Sequence, residues 1–195
     1  MRSSTPSLHS RVVTVSSGAH TFSTVQLGNY NLDSPPKEFY DPICTLPDLE
    51  SDGQTRNPII LYGQSKTANV WFANEIERRY GPQGLHGLSL HPGNIFTAGW
   101  TTLDPRVGEK FKGLMETVPE FGAAFKSIEQ GAATQVLAAV GKDWEGVGGI
   151  YLDDCGASEL IPEGGQLGIN GYKPHAYDVA GAGRLWEDSL EMVKA

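Results

Sequence analysis

Three short apolar runs, separated by two stretches of helical period, leave this chain few architectures. Arg11 leads into VVTVSS, whose β-branched residues stop at SSGAH, so residues 11–16 read as a buried strand. From Tyr62 onward, Tyr62, Asn69, Ala73, Ile76 and Tyr80 recur at helical spacing, with Arg78 and Arg79 in the last turn before GPQG; this predicts a helix over 62–80. LHGLSLHPG reads as a second strand over 86–90, ended by His91, Pro92 and Gly93. Ser127 and Gln130 stand at capping-box spacing ahead of AATQVLAAV, which predicts a helix over 128–140 closed by Gly141. GGIYLDD supplies a third strand over 148–153, and Leu185, Trp186, Leu190 and Val193 mark a closing amphipathic helix between Asp178 and Lys194. Strand, helix, strand, helix, strand is the order of an α/β domain with adjacent parallel strands and crossover helices.

Two stretches break the pattern. Residues 18–61 have no sustained period and carry the breakers Pro35–Pro36, Asp41–Pro42 and Asn57–Pro58, an irregular excursion too long for an ordinary loop. Residues 97–125 mix Gly, Pro and aromatics and are expected to form a mobile flap. The length of 195 residues points to one domain, 1–195, and 39% hydrophobic residues provide a core.

Charge and composition remove several function classes. Acidic residues outnumber basic ones by 23 to 15, a net charge of -8 that opposes binding to nucleic acid or to an anionic membrane. The opening MRSSTPSLHS lacks the apolar core of a secretory signal, and no apolar run is long enough to span a bilayer. The two cysteines, Cys44 and Cys155, form no metal-binding or redox motif, so a reducing, cytoplasmic location is expected. Asp48, Glu50, Asp52 and Gly53 mimic the first half of a calcium loop, but Ile59 occupies the position that needs a bidentate Glu. His86 and His91 have no further partners at zinc spacing, so no metal site is expected.

Tyr62 and Lys66 place a phenol and an ammonium one turn apart on the same helix face. With 7 Tyr in 195 residues, chance supplies roughly 0.3 Tyr-x-x-x-Lys pairs in such a chain. The pair therefore needs its context. An ammonium about 5 Å from a phenol favours loss of the phenolic proton by roughly 3 kcal/mol at an effective dielectric of about 20. That suits proton transfer to or from a carbonyl oxygen. Ser17 stands at the carboxyl end of the first strand, where open α/β sheets bind ligands, and could hold that oxygen.

RVVTVSSGAH, YGQSKTANVWFANEIERRY, LSLHPGNIFT, KSIEQGAATQVLAA and GGIYLDD, taken in this order, resemble the short-chain dehydrogenase/reductase superfamily, especially its retinol-dehydrogenase-like and fungal branch. The resemblance covers most of 11–17 and 62–194, the carboxyl-terminal half of the family's Rossmann-like, doubly wound parallel sheet. It implies an oxidoreductase using NADP or NAD and acting on a small-molecule carbonyl or alcohol. By the same resemblance Ser17 is the catalytic serine and Tyr62 the acid/base, while Lys66 assists the tyrosine and holds the nicotinamide ribose. Pro92, Gly93, Asn94, Ile95 and Thr97 fall on the Pro-Gly-x-x-x-Thr segment that faces the nicotinamide.

The chain has neither the family's glycine-rich TGxxxGxG turn nor its Asn-Asn-Ala-Gly segment, so the nucleotide-binding half of the fold is expected to be absent. Ser17 and Tyr62 are also 45 positions apart, with ICTLPDLESDGQTRNPIIL reading as an insertion within the irregular 18–61 stretch. Two other functions stay open on these grounds: a noncatalytic fragment or pseudoenzyme serving as an interaction module, and a cofactor-free lyase or isomerase using Tyr62 and Lys66. Without a strand beside it, 11–16 becomes an apolar sheet edge, and self-association through that edge is expected.

Overall fold

The computed structural model describes residues 5, 7–34, 57–97, 109, 112, 113, 115–117, 122–165 and 170–194. Strand β1 (Ser10–Val15) is followed by a 3-10 helix, Gly18–Phe22, and then by helix α1 (Pro58–Tyr80). Strand β2 (Leu85–Leu90) leads to β3 (Asn94–Ile95), which pairs in parallel with β4 (Phe125–Lys126). Helix α2 (Ile128–Val140), the β5–β6 hairpin (Ile150–Asp153 and Gly156–Ala157) and helix α3 (Val179–Val193) complete the order.

The main sheet runs β1-β2-β5-β6. β1 and β2 are parallel in the register Ser10↔Leu85 to Val15↔Leu90, and β2 and β5 are parallel from Leu88↔Ile150 to Leu90↔Leu152. The three adjacent parallel strands expected from the sequence are present. The antiparallel β6 is an addition to that expectation. It follows a turn in which Asp154 and Cys155 both have positive φ, 44° and 63°, the geometry that matches strand twist in a two-residue hairpin. A Cys in the second of these positions, where Gly is usual, hides the turn from a sequence reading.

Helix α1 begins four residues earlier than its period suggests. Asn57 caps it, its side chain accepting from Ile59 N and Ile60 N at 2.9 and 3.3 Å, and Pro58 occupies the first turn. An Asn-Pro pair that looks like a breaker is here a start signal, because the missing proline N–H would have had no helical partner. The expected irregular stretch is thus ordered at both described ends. Gly18–Phe22 packs against α1, and Ala19, Phe22, Leu32, Ile59 and Ile60 form a small core. Residues 35–56, with Cys44, the calcium-loop mimic and most of the expected insertion, lie outside the described residues, as does most of the expected flap over 97–125. The third strand opens at Ile150 rather than at 148, since Gly149 has a φ of 69° that a strand does not adopt. The capping box of Ser127 and Gln130 is complete.

Side chains along a strand alternate between the faces of the sheet. Thr14 and Ser16 donate their hydroxyls to Asn69 O and Lys66 O of α1, at 2.9 and 2.7 Å. Arg11 Nη1 donates instead to Ala138 O of α2 at 3.1 Å, and Val13 packs with Leu88, Leu90, Ala138 and Leu152. Helices α1 and α2 therefore cover opposite faces. Because β1, β2 and β5 follow one another in a single direction, the two connections have opposite hands, where the usual chain rule gives two alike. The second connection is no tight strand–helix–strand unit: it runs from Leu90 to Ile150 by way of β3 and β4, so the twist that enforces handedness in short units does not constrain it.

Helix α3 joins α1 on its face through Trp71, Ala182 and Leu185. Trp71 is buried, while the adjacent Phe72 is 45% exposed and stacks on Trp186 at a centroid distance of 5.5 Å. Among the described residues no helix is long and apolar enough to cross a membrane.

Gly87 sets the spacing between α1 and β2, since a Cβ there would sit 2.0 Å from Ala73 O. The obstacle is helix backbone and cannot rotate away. Gly87→Ala is expected to destabilise the protein by about 1–3 kcal/mol, the usual cost of overpacking. An unchanged midpoint in urea denaturation would show that α1 yields more readily than a packed core should.

Candidate active site

The carboxyl ends of β1 and β2 and the first half of α1 bring the sequence-predicted residues to one end of the sheet. Tyr62 lies in the second turn of α1, 49% exposed. Lys66, one turn on, places Nζ 5.4 Å from the centroid of the Tyr62 ring. The same ammonium donates to Val15 O at 3.2 Å, and Asn69 Nδ2 donates to that oxygen at 2.9 Å. The side chain that stands over the phenol is thereby tied to the last residue of β1, two positions before Ser17. Asn69 was visible in the sequence only as one more residue of a helical stripe.

Ser17 leaves β1 as the N-cap of the following 3-10 helix, its Oγ accepting from Ala19 N at 3.2 Å. That contact uses a lone pair and leaves the hydroxyl proton without an acceptor among the described residues. Ser17 and Tyr62 thus lie on elements that meet at the carboxyl end of β1, and no hydrogen bond between their hydroxyls occurs among the described residues.

The segment from Pro92 to Thr97 starts where β2 stops. Gly93 turns the chain with a φ of 91°, and a Cβ on it would lie 2.5 Å from the Lys126 side chain. Asn94 and Ile95 form β3, Ile95 packing so closely on α2 that a Cβ on Gly131 would sit 2.0 Å from it. Asn94 Nδ2 is buried without a hydrogen-bond partner among the described residues, and Thr97 is exposed. Gly18 N, next to Ser17, donates to His91 Nδ1 at 3.0 Å, which joins this segment to the end of β1.

Two buried histidines stand behind Ser17. His20 has its pKa lowered to about 3, first by burial, against the raising effect of its hydrogen bond to Ser17 and with further lowering from His175 and His91. His91 is lowered to about 4, again first by burial, with Asp153 raising and Lys126 lowering. Both are neutral at pH 7. Tyr151, fully buried on β5, has its hydroxyl 3.2 Å from His20 Nδ1, and burial raises its pKa well above 10. His20 lies in SSGAH, which reads in the sequence as a strand terminator; its signal there is a histidine three positions after the serine it faces.

A nicotinamide cofactor fits one side of this arrangement. Lys66 Nζ and the exposed Tyr62 offer polar contacts for a ribose, and the buried, unpartnered amide of Asn94 offers a donor at the end of β2. No glycine-rich strand–turn–helix for a pyrophosphate occurs in the sequence.

No protein-family model matches the chain. It is 44% identical over 193 residues, 99% of its length, to a short-chain dehydrogenase/reductase of Penicillium rubens, of which it covers 49%. It is 38% identical over 192 residues to an oxidoreductase of Penicillium decumbens, matching over 98% of this chain and 50% of that protein. The chain spans about half the length of these curated relatives. A crystal structure of an uncharacterized protein from Mycobacterium paratuberculosis superposes with a TM-score of 0.50 at 25% identity, over 97% of this chain and 52% of that one. With the parallel sheet, the helices on both faces and these relatives in agreement, the chain belongs to the short-chain dehydrogenase/reductase superfamily.

Proposed function

We propose that this chain carries the catalytic face of an NAD(P)-dependent oxidoreductase that interconverts a small carbonyl compound and its alcohol. The observation that carries the reading is the Lys66 ammonium 5.4 Å from the Tyr62 ring, at the strand end that Ser17 terminates. Ser17 donates its free hydroxyl proton to the substrate oxygen and fixes its direction. Tyr62 exchanges a proton with that oxygen, and the Lys66 charge stabilises the negative charge that develops on the phenol as the proton leaves. Pro92, Gly93, Asn94, Ile95 and Thr97 line the side on which a nicotinamide would lie, with Lys66 and Tyr62 toward its ribose. The bound cofactor supplies or accepts the hydride.

Affinity of the 195-residue chain for NADPH or NADH is expected to be weak, because its sequence carries no glycine-rich TGxxxGxG turn to receive the pyrophosphate. The test is therefore made at millimolar cofactor. Slow, aldehyde-dependent loss of nicotinamide absorbance that requires Tyr62 is the expected result. Turnover indifferent to Tyr62, or none with either cofactor across a panel of aldehydes and ketones, overturns the reading.

A second reading rests on β1 standing at the edge of the main sheet among the described residues. Ser10 N and Ser16 N point to β2, so the alternate residues Arg11, Val13 and Val15 direct their backbone groups outward. Lys66 and Asn69 occupy Val15 O; the Val15 side chain is 38% exposed. Such an edge recruits another strand, and we expect the chain to self-associate through it. Sedimentation velocity should show concentration-dependent dimers or larger species, reduced in Val15→Lys. A monodisperse monomer at every concentration would remove this reading.

A further inference from the structure

The peptide unit between Ser17 and Gly18 is held at both of its polar atoms by a buried imidazole. Ser17 O accepts from His20 Nδ1 at 2.7 Å and from the His20 backbone N–H at 3.0 Å. Gly18 N, the donor of the same peptide, gives its proton to His91 Nδ1 at 3.0 Å. A carbonyl can only accept, so His20 Nδ1 carries a proton. An amide N–H can only donate, so His91 Nδ1 is bare. The two rings are therefore opposite tautomers. Neither uses its second nitrogen: His20 Nε2 and His91 Nε2 are both buried without a partner among the described residues. Orphaned buried nitrogens are rare in native proteins and call for a local reason.

We propose that His20 and His91 are positioning residues that clamp the Ser17–Gly18 peptide plane and so hold the Ser17 hydroxyl in a single rotamer. The proposal deepens the oxidoreductase reading, since it is Ser17's role at the substrate oxygen that gives a fixed rotamer its use. The two rings come from different parts of the fold, His20 from the 3-10 helix after β1 and His91 from the end of β2, so the plane cannot tilt without breaking one contact or the other. Ala19 N on Ser17 Oγ then occupies one lone pair, and the hydroxyl proton has no acceptor among the described residues. A phenylalanine of similar size would fill either cavity and supply neither contact.

The groups around the clamp keep both rings neutral. Tyr151 of β5, His175 of the 3-10 helix Pro174–Tyr177 and His91 itself face His20. Asp153 of β5 and Lys126 of β4 are the charged groups that act on His91, with opposite signs. Protonation of His91 at Nδ1 would place a donor against the Gly18 donor and open the clamp.

Long-range 1H–15N correlation spectra at pH 7 read the tautomers directly. His20 is expected as the Nδ1–H form and His91 as the Nε2–H form; the reverse assignment for either ring, or a charged ring, overturns the clamp. The Ser17 Hα–Hβ couplings should show one rotamer in the wild type and in His91→Gln, whose amide oxygen can accept from Gly18 N–H, and averaging in His91→Leu. Equal couplings in all three would overturn it as well. If His91→Leu does not fold, the wild-type tautomers and the His91→Gln couplings still decide the matter. Where turnover is measurable, His91→Leu should lower kcat by about 10–100-fold with KM little changed, with most of the loss recovered in His91→Gln. An inactive wild type with the expected tautomers and couplings would sink the oxidoreductase reading and leave the clamp standing.

Discussion

Between pH 6.5 and pH 4 the protein is expected to lose several kcal/mol of stability, and the two clamp histidines account for the steepness of the loss. Both have folded-state pKa values below the ordinary 6.5, about 3 for His20 and about 4 for His91, chiefly through burial. In this window the unfolded chain binds the two protons and the folded chain does not, so stability rises with pH. The contribution is complete above pH 6.5 and disappears as the pH falls toward the folded values. Each pKa unit corresponds to about 1.4 kcal/mol, which gives a limiting slope of roughly 2.7 kcal/mol per pH unit for two histidines. Glu75, whose pKa the Arg78 and Arg79 guanidiniums hold below its ordinary 4.5, adds a loss of the same sign lower on the scale. Urea denaturation followed by tryptophan fluorescence at dilute protein, away from the isoelectric region near pH 5.1, measures the slope. His20→Asn and His91→Gln should each remove about one proton's worth of it. A flat stability profile from pH 7 to pH 6 and on to pH 4.2 would show that these rings are solvated or already charged.

Tyr62→Phe is expected to reduce carbonyl turnover by about 10²–10⁴-fold, the range that a positioned general acid contributes. The substitution removes one oxygen from a side chain that is 49% exposed and has no hydrogen bond among the described residues, so the fold should be unaffected. Lys66→Met is expected to have a smaller but still large effect on turnover together with a measurable structural one, because Lys66 Nζ also donates to Val15 O. The comparison separates two meanings of the Tyr–Lys pair. If the lysine only braces the end of β1, Lys66→Met shifts the urea midpoint and leaves the rate per folded molecule alone. If it also stands against the developing phenolate, the rate falls with folded protein held constant. Equal turnover in wild type and Tyr62→Phe, measured at saturating cofactor, would remove Tyr62 from the chemistry.

Most of the regular structure was legible because local physics and tertiary packing agree there. VVTVSS is rich in β-branched residues and forms its strand, although the strand is only half-buried where a buried one was expected; Ser127 and Gln130 form a cap that needs no tertiary partner, and α1 ends at the arginines before GPQG that mark its last turn. The Tyr62 and Lys66 pair was legible for the same reason, since one helical turn fixes their neighbourhood wherever the helix lies. Where the reading failed, a residue acts through partners remote in sequence or takes an uncommon role. Asn57–Pro58 looked like a break and is a cap. Asp154 and Cys155 make a hairpin turn without glycine at either central position.

The sequence by itself thus determined the parallel α/β order, the helix carrying Tyr62 and Lys66, and the superfamily. Only the tertiary structure decided the rest. The opposite faces of α1 and α2 follow from which β1 side chains each helix meets, through contacts 55 and 127 positions apart. The clamp on Ser17 requires His91, 73 positions from the Gly18 amide it accepts from, and the tautomers of His20 and His91 follow from whether each ring meets a carbonyl or an amide. Hydrogen-bond direction and burial belong to the assembled neighbourhood of a group, so a local stretch of sequence carries no record of them.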